Sequence, residues 1–192
     1  MKELKVKDML QICNGKLICG NEEEICEHFV KDTNEVTVGD VYVGIKGEKV
    51  DGSLIYEKAL KNGARICLLE EIPIQKETYE KYPNTTIIVV KNSIEAIQKL
   101  ATYKRSLYDI PVIGITGSVG KTSTKDIIAG VVSTTYKVRK TYGNYNNHIG
   151  LPLTILGLKD HTALVVEMGM NHLGELRKLT NIAKPTICVI TN

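Results

Sequence analysis

The stretch that decides the fold runs from residue 114 to residue 123 and reads Gly114-Ile115-Thr116-Gly117-Ser118-Val119-Gly120-Lys121-Thr122-Ser123. A continuous apolar run, Val112 to Thr116, leads into it and is typical of a parallel strand buried on both faces. A helix is predicted from Lys121 onward. A glycine-containing turn between a strand and a helix lets backbone N–H groups converge on phosphate oxygens. The stretch therefore predicts a phosphate-binding loop in an α/β domain.

Two side chains of this loop have expected roles in holding a nucleotide. Lys121 is expected at the β- and γ-phosphates, and the hydroxyl of Thr122 is expected to coordinate Mg²⁺. The common GxxxxGK[ST] pattern is not matched in full, because Ile115 stands where its first glycine would fall. A glycine-rich turn without a ligand is the alternative, and the Gly-Lys-Thr sequence after a strand favours the phosphate loop.

Residues 108 to 192 continue the alternation of strands and helices. Strands are predicted over His161–Glu167 and Thr186–Thr191, with a helix over Leu173–Ala183 between them. This spacing predicts a mostly parallel, doubly wound sheet. Glu167 ends its strand beside the loop, where a buried carboxylate is costly unless it is paired or bound to a metal. Metal binding and an ordinary ion pair at the strand end would both meet this requirement.

Residues 1 to 107 are predicted to form a separate small α/β domain. The predicted strands are Val41–Ile45, Arg65–Leu69 and Thr86–Val90, and the predicted helices are Val6–Cys13, one from Ser53 to Asn62, and one that begins at Ser93. Gly63 is expected to end the second of these helices and Ser93 to cap the third.

Composition excludes several classes of function. Of 192 residues 43% are apolar, which is enough for real cores, and the net charge of +3 comes from scattered rather than clustered lysines. With nine Tyr, one Phe and no Trp there is no platform for stacking nucleic-acid bases. No stretch reaches the roughly 18 apolar residues of a membrane span. We expect a cytoplasmic monomer without nucleic-acid partners.

The five cysteines are odd in number and have no CxxC spacing. A zinc site that uses Cys26 and His28 is conceivable, but free thiols that are buried or half-buried are favoured.

The pattern Thr-Gly-x-x-Gly-Lys-Thr after an apolar strand, residues 116 to 122, resembles the Mur ligase and folylpolyglutamate synthetase superfamily. Members of that superfamily use ATP to activate a carboxylate as an acyl phosphate, which an amine then attacks. The resemblance implies ATP and Mg²⁺ as cofactors, with Thr122 and Glu167 as metal ligands. The residues implied to contact ATP are Gly117, Ser118, Val119, Gly120, Lys121, Thr122 and Ser123.

Two further segments resemble the branch of this family that adds D-alanyl-D-alanine. Residues 141–154 resemble a GN-x-NN-x-IG-x-P-L-T motif, and residues 167–175 resemble an EMG-x-x-x-x-GE motif. The TTP-like and EVSSH-like segments expected of the diaminopimelate- or lysine-adding branch are absent. The resemblance implies UDP-N-acetylmuramoyl-tripeptide and D-alanyl-D-alanine as substrates in peptidoglycan precursor synthesis.

The first domain resembles the UDP-binding module of the same family, since the segments 32–34, 39–43 and 46–53 occur in the expected order. The residues implied to contact the UDP-peptide are Thr33, Asn34, Lys46, Gly47 and Asp51. Asn34 stands where the family usually has Arg, and Ser53 where it usually has His. An Arg would hold a phosphate through two parallel hydrogen bonds, which Asn cannot reproduce.

Three asparagines, Asn144, Asn146 and Asn147, have two possible roles. Their amides could contact the γ-phosphate or metal-bound water, or they could be turn residues that tolerate left-handed geometry. The motif match favours a catalytic function for Asn144 and Asn147, alongside Lys121 and Glu167. The roles of His148 and His172 stay open between surface or helix-end positions and an approach to the cleft.

Three alternatives compete with a D-alanyl-D-alanine-adding ligase. A kinase or GTPase shares residues 120–122 but leaves Asn147, Glu167 and the first domain unexplained. A non-catalytic nucleotide-sugar binding module would not need Lys121, Thr122 and Glu167 intact. Another Mur-type ligase is the third. The sequence stops at Asn192 directly after a predicted strand, so we expect the front part of a longer enzyme, which is inactive without the metal ligands and closing domain that follow in the family.

Overall fold

The computed structural model describes residues 3–48 and 50–192. Met1, Lys2 and Lys49 lie outside the described residues, and Lys49 belongs to the segment 46–53 that resembles the UDP-binding module. Packing divides the chain into two compact units, Glu3–Ala96 and Ile97–Asn192. The domain boundary predicted after residue 107 stays a prediction.

The first unit is built on a five-stranded sheet in the order β1-β5-β4-β3-β2. The neighbours from β2 to β5 are parallel, and β1 runs antiparallel to β5 at the edge. The strands are β1 Lys16–Cys19, β2 Phe29–Val30, β3 Val41–Val43, β4 Ile66–Glu70 and β5 Thr86–Val90. The helices are α1 Val6–Cys13, a 3-10 turn over Gly52–Ile55, α2 Tyr56–Lys61, α3 Lys76–Lys81 and α4 Ser93–Ser106, which continues into the second unit.

The ends of two helices test the capping predictions. Gly63 has φ +107°, and the N–H groups of Gly63 and Ala64 donate to the carbonyls of Leu60 and Ala59, so α2 ends in the Schellman arrangement. The predicted cap of α4 was wrong by one residue. Asn92 Oδ1 accepts the N–H of Glu95 at 2.8 Å and caps the helix.

Ser93 is used instead to join α4 to β4. Its hydroxyl and its N–H both donate to Glu70 Oε1, at 2.9 and 3.0 Å. Because the Ser93 hydroxyl is committed to this carboxylate, it is not the group that caps its own helix.

The second unit is a four-stranded sheet in the order β7-β8-β6-β9, parallel throughout. Its strands are β6 Val112–Gly117, β7 Val138–Lys140, β8 Ala163–Glu167 and β9 Ile187–Thr191. Its helices after α4 are α5 Lys121–Val132, α6 Gly150–Leu156 and α7 Glu175–Ala183. The predicted mostly parallel α/β fold is confirmed. Since β6 lies between β8 and β9, the loop after β6 opens where successive connections leave in opposite directions, the usual place for a ligand.

A buried arginine closes the end of α7. Arg105 Nε donates to the carbonyl of Ala183 at 2.8 Å, and Nη1 donates to that of Tyr108 at 2.6 Å. A guanidinium at a helix C-terminus satisfies carbonyls that have no partner within the helix and complements the helix dipole. Desolvation lowers the pKa of Arg105.

None of the five cysteines, all of which are described, forms a disulfide; Cys13, Cys26 and Cys67 are buried, Cys19 is half-buried and Cys188 is exposed. Within residues 3–48 and 50–192 no three His, Cys, Asp or Glu side chains gather as metal ligands would, so Cys26 gains no support as a zinc ligand. His28 pairs with Asp40 instead, at 2.8 Å. None of the helices in these two ranges is long and apolar enough to cross a bilayer.

Substitution by alanine should have opposite effects at two helical glycines of the second unit. A Cβ at Gly130 in α5 would meet nothing within 4 Å, whereas one at Gly150 in α6 would lie 2.3 Å from Tyr145 Cα. Gly130→Ala should stabilise the chain by about 0.5–1 kcal/mol, because alanine loses less backbone entropy in a helix. Gly150→Ala should destabilise it by about 1–3 kcal/mol, because backbone must move. Urea unfolding of both variants measures this, and a stabilised Gly150→Ala would contradict the packing at Tyr145.

Candidate functional site

The loop between β6 and α5 needs glycine at two positions. Gly117 has φ +142°, and a Cβ there would lie 2.2 Å from Thr191 Oγ1 in β9, while Gly120 has φ +83° just before α5. The N–H groups of Ser118 and Val119 donate to the main-chain oxygen of Asn192 at 2.7 and 2.8 Å. The N–H groups in the first turn of α5 have no acceptor within the helix, so they face the loop as donors for an anion.

A cleft of about 370 Å³ lies at this loop. Its lining comprises Ser118, Val119, Gly120, Lys121, Thr122, Ser123, Asn146 and Glu167. The ammonium of Lys121 donates to the carbonyls of Gly117 and Ser118, at 2.7 and 3.3 Å. The predicted loop residues from Ser118 to Ser123, including Lys121, thus line the same cleft as the predicted carboxylate of Glu167.

Glu167 is the buried charge of the cleft, with 3% of its surface exposed. Its position follows from the sheet, because β8 pairs in parallel with β6 and Glu167 lies opposite Ile115, level with the start of the loop. Thr122 Oγ1 donates to Glu167 Oε2 at 3.0 Å, and Asn146 Nδ2 donates to Oε1 at 2.9 Å. The Glu167 N–H donates to the buried Thr141 hydroxyl at 3.0 Å, which fixes the end of the strand.

The pair formed by Thr122 and Glu167 fits a hard divalent cation. A hydroxyl and a carboxylate oxygen stand 3.0 Å apart at the start of a helix whose dipole favours phosphate, and Mg²⁺ binds through one or two protein oxygens plus phosphate oxygens and water. No further carboxylate is needed for such a site, so the donor set suits magnesium shared with a nucleotide.

The three asparagines of the loop before α6 have different surroundings. Asn146 lines the cleft, although the motif match favours Asn144 and Asn147, because the three asparagines look alike until their placement beside β8 is known. Asn147 Oδ1 accepts the N–H groups of Ile149 and Gly150, at 3.1 and 2.9 Å, and so closes the turn that leads into α6. Asn144 is exposed, and its carbonyl accepts the Asn146 N–H at 2.7 Å. Catalytic roles for Asn144 and Asn147 stay predictions.

Two charged clusters support the elements around the cleft. Asp126 of α5 accepts a hydrogen bond from Lys140 of β7 at 2.7 Å, which lowers the Asp126 pKa, and the buried Lys125 lies 3.5 Å from the same carboxylate. After β8, Glu175 Oε2 accepts the N–H groups of Asn171 and His172, which lowers the Glu175 pKa. Glu175 therefore closes the start of α7.

The predicted UDP-peptide residues lie at one edge of the first sheet. Thr33 and Asn34 follow β2, and Lys46, Gly47 and Asp51 follow β3, which pairs in parallel with β2. Lys46 and Asp51 form an isolated antiparallel bridge. Because the carboxyl ends of parallel strands are the usual ligand edge, the arrangement suits one ligand that spans both loops.

Ser53 and Asn34, the two departures from the expected family pattern, both form side-chain hydrogen bonds. The buried Ser53 hydroxyl donates to the Gly44 carbonyl at 3.1 Å and accepts the Glu70 N–H at 2.9 Å, so it joins β3 to β4. At the other position, Lys58 Nζ donates to Asn34 Oδ1 at 2.9 Å. A cation from α2 therefore reaches the place where the family usually has Arg.

The loop, its lysine and the hydroxyl–carboxylate pair define a nucleotide-phosphate site of the P-loop class on a parallel α/β sheet. Residues 115–192 match the Mur ligase middle domain, and residues 28–105 match the catalytic domain of the Mur ligase family. The chain belongs to the Mur ligase family, which confirms the family predicted from its motifs.

Several relatives are similar over most of this chain. The UDP-N-acetylmuramoyl-tripeptide--D-alanyl-D-alanine ligase of Bacillus subtilis is 38% identical over 190 residues, which is 97% of this chain and 40% of that protein. MurF of Acinetobacter baumannii superposes with a TM-score of 0.84 at 26% identity, over 99% of this chain and 40% of that one. MurF ligase of Thermotoga maritima, solved with ADP, has a TM-score of 0.70 at 35% identity, over 85% of this chain and 37% of that one. The chain spans about 40% of the length of the curated relatives it matches.

The free energy of unfolding tests whether Asn147 caps the start of α6, independently of any role in the cleft. Asn147→Ala removes the acceptor of two N–H groups before α6 and should lower the free energy of unfolding by about 1 kcal/mol. Asn147→Asp keeps an acceptor oxygen and should retain most of it, and Asn144→Ala alters only an exposed side chain. Denaturant unfolding of the three variants measures this, and an unchanged stability in Asn147→Ala would contradict the cap.

Proposed function

We propose that this chain forms the substrate- and ATP-binding part of a ligase that adds D-alanyl-D-alanine to UDP-N-acetylmuramoyl-tripeptide. The observation that carries the proposal is the contact between Thr122 and the buried Glu167 beside the loop of Lys121. The similarity over 97% of the chain to the Bacillus subtilis ligase supports this choice of substrates.

The reaction proposed for the complete enzyme has two steps. A carboxylate oxygen of the tripeptide attacks the γ-phosphorus of ATP, an acyl phosphate forms and ADP leaves. The amine nitrogen of D-alanyl-D-alanine then attacks the acyl carbon, an amide forms and inorganic phosphate leaves. Both partners of the first step are anions, so charge neutralisation and positioning are the main demands on the protein.

The residues of this chain meet those demands in distinct ways. The N–H groups at the start of α5 bind and orient phosphate oxygens, and the Lys121 ammonium offsets charge at the transferring group. Thr122 and Glu167 would hold Mg²⁺, which supplies further neutralisation of the phosphates when bound. Predicted contributions of Asn144 and Asn147 remain part of the proposal.

The first unit is proposed to bind the UDP end of the substrate. Thr33, Asn34, Lys46, Gly47 and Asp51 are the proposed contacts at the edge formed by β2 and β3. Lys58 adds a positive charge beside Asn34 and suits a diphosphate. A cytoplasmic location and a monomeric state stay predictions from the sequence.

Separate NMR titrations of the chain with UDP-N-acetylmuramoyl-tripeptide, ATP and GTP, each with Mg²⁺, test the function. The UDP-peptide should shift residues 33–58, and ATP should shift residues 118–123 more than GTP does, because ATP is the proposed cosubstrate. A response to GTP with none to the UDP-peptide would favour a GTPase. A response to the UDP-peptide with none to ATP would favour a non-catalytic nucleotide-sugar module.

Two exposed lysines of α2 provide a matched pair for the UDP end. Lys58→Met removes the cation beside Asn34 and should weaken UDP-peptide binding several-fold, since one phosphate contact is worth about 1 kcal/mol or more. Lys61→Met changes the same charge on the same helix and should leave binding unchanged. Equal effects of the two variants would rule out a specific contact by Lys58.

A further inference from the structure

Asn146 holds the end of β8 from two sides. Its side-chain Nδ2 donates to Glu167 Oε1 at 2.9 Å, and its backbone carbonyl accepts the N–H of Gly169 at 2.8 Å. One residue therefore contacts the carboxylate at the end of the strand and the backbone two residues beyond it. This double contact fixes the amide relative to the strand rather than leaving it on a free loop.

Gly169 leaves the space that this arrangement needs. A Cβ at position 169 would lie 3.1 Å from Asn146 Cγ and 3.2 Å from both Nδ2 and Oδ1. Contacts this close require the neighbouring group to shift by a few tenths of an ångström. The group that would have to shift is the amide that bonds Glu167, so a methyl group at position 169 acts directly on that hydrogen bond.

The two carboxylate oxygens of Glu167 have different partners. Oε1 accepts from Asn146, and Oε2 accepts from Thr122 at the start of α5. A carboxylate that is held through one oxygen presents the other in a single direction, and outer partners of this kind commonly govern the affinity of a metal ligand. The hydrogen bond from Asn146 therefore restricts the directions in which Oε2 can point toward Thr122.

We infer that Asn146 is the positioning residue of Glu167, and that Gly169 is glycine because the Asn146 amide occupies the space of a side chain. The inference rests on the proposed function, since the divalent cation that Glu167 would hold is the one bound with the nucleotide. Asn146 acts through Glu167 and is distinct from the capping residue Asn147.

A double-mutant cycle on the 192-residue chain tests the inference, with ADP as the probe. ADP affinity is measured by calorimetry with Mg²⁺ and again with a chelator, for wild type, Asn146→Ala, Gly169→Ala and the double variant. His148→Ala is the control, because His148 is an exposed residue of the same loop that does not line the cleft. Denaturant unfolding checks that each variant is folded.

Asn146→Ala should reduce the Mg²⁺-dependent gain in ADP affinity roughly 10- to 100-fold, while affinity in the chelator stays constant. Gly169→Ala should reduce the same gain. The double variant should be no worse than Asn146→Ala, because the amide that the new methyl group displaces is already gone. His148→Ala should match wild type.

Additive losses in the double variant, or equal losses with and without Mg²⁺, would overturn the inference while leaving the proposed function in place. Absence of ADP binding by the wild-type chain would overturn both. A readout that needs no ligand is the NMR signal of the Asn146 side-chain amide. Its hydrogens should exchange slowly in wild type and faster in Gly169→Ala, and unchanged exchange in Gly169→Ala would overturn the inference.

Discussion

The hydrogen bond between Thr122 and the buried carboxylate of Glu167 is the constraint around which the second unit is organised. A carboxylate that is 3% exposed is costly unless donors or a cation surround it. The sheet supplies the position, since pairing of β8 with β6 places Glu167 at the level of the phosphate loop. The loop after β7 supplies the second donor, Asn146. The strand order, the loop after β7 and the start of α5 therefore all contribute to the position or the hydrogen bonds of Glu167.

The first unit also has a mostly parallel sheet, but different groups lie at the carboxyl ends of its strands. Among the described residues of 31–34 and 44–51, which follow β2 and β3, no carboxylate is buried, and these polar loops present Asn34, Lys46 and backbone groups. The Ser53 hydroxyl bridges the end of β3 and β4, and the backbone is so close that a Cβ on Gly44 would lie 2.8 Å from Ser53 Cα and Oγ. Lys58 places a positive charge beside Asn34, through the hydrogen bond from its Nζ to Asn34 Oδ1.

Sequence patterns predicted the parts of the structure in which periodicity and chemistry agree. The helix Val6–Cys13, the strand Thr86–Val90 and the loop at Lys121 follow from apolar spacing and glycine placement, and they occur as expected. The sheet edge that joins Glu167 to this loop was also predictable, because carboxyl ends of parallel strands meet at one side.

The elements that escaped prediction have physical reasons for it. Helix α6 starts at a glycine, contains Pro152 and is buried on all sides, so it has no amphipathic period. Strand β7 is three residues with two cations, and its pairing is decided by β8 rather than by its own pattern. The choice of Asn146 over its neighbours depends on tertiary placement, which is also why Ser93 pairs with Glu70 while Asn92 caps the helix.

We propose that Thr122 and Glu167 hold the divalent cation of a bound nucleotide. A crystal of the chain grown with ADP and Mn²⁺, a cation with the same preference for oxygen ligands, measures this through the anomalous signal of manganese. One strong peak is predicted between Thr122 Oγ1 and Glu167 Oε2, at coordination distance, about 2.1 Å, from an oxygen of each. Manganese bound elsewhere, with ADP in the loop and the Thr122–Glu167 hydrogen bond intact, would contradict the account.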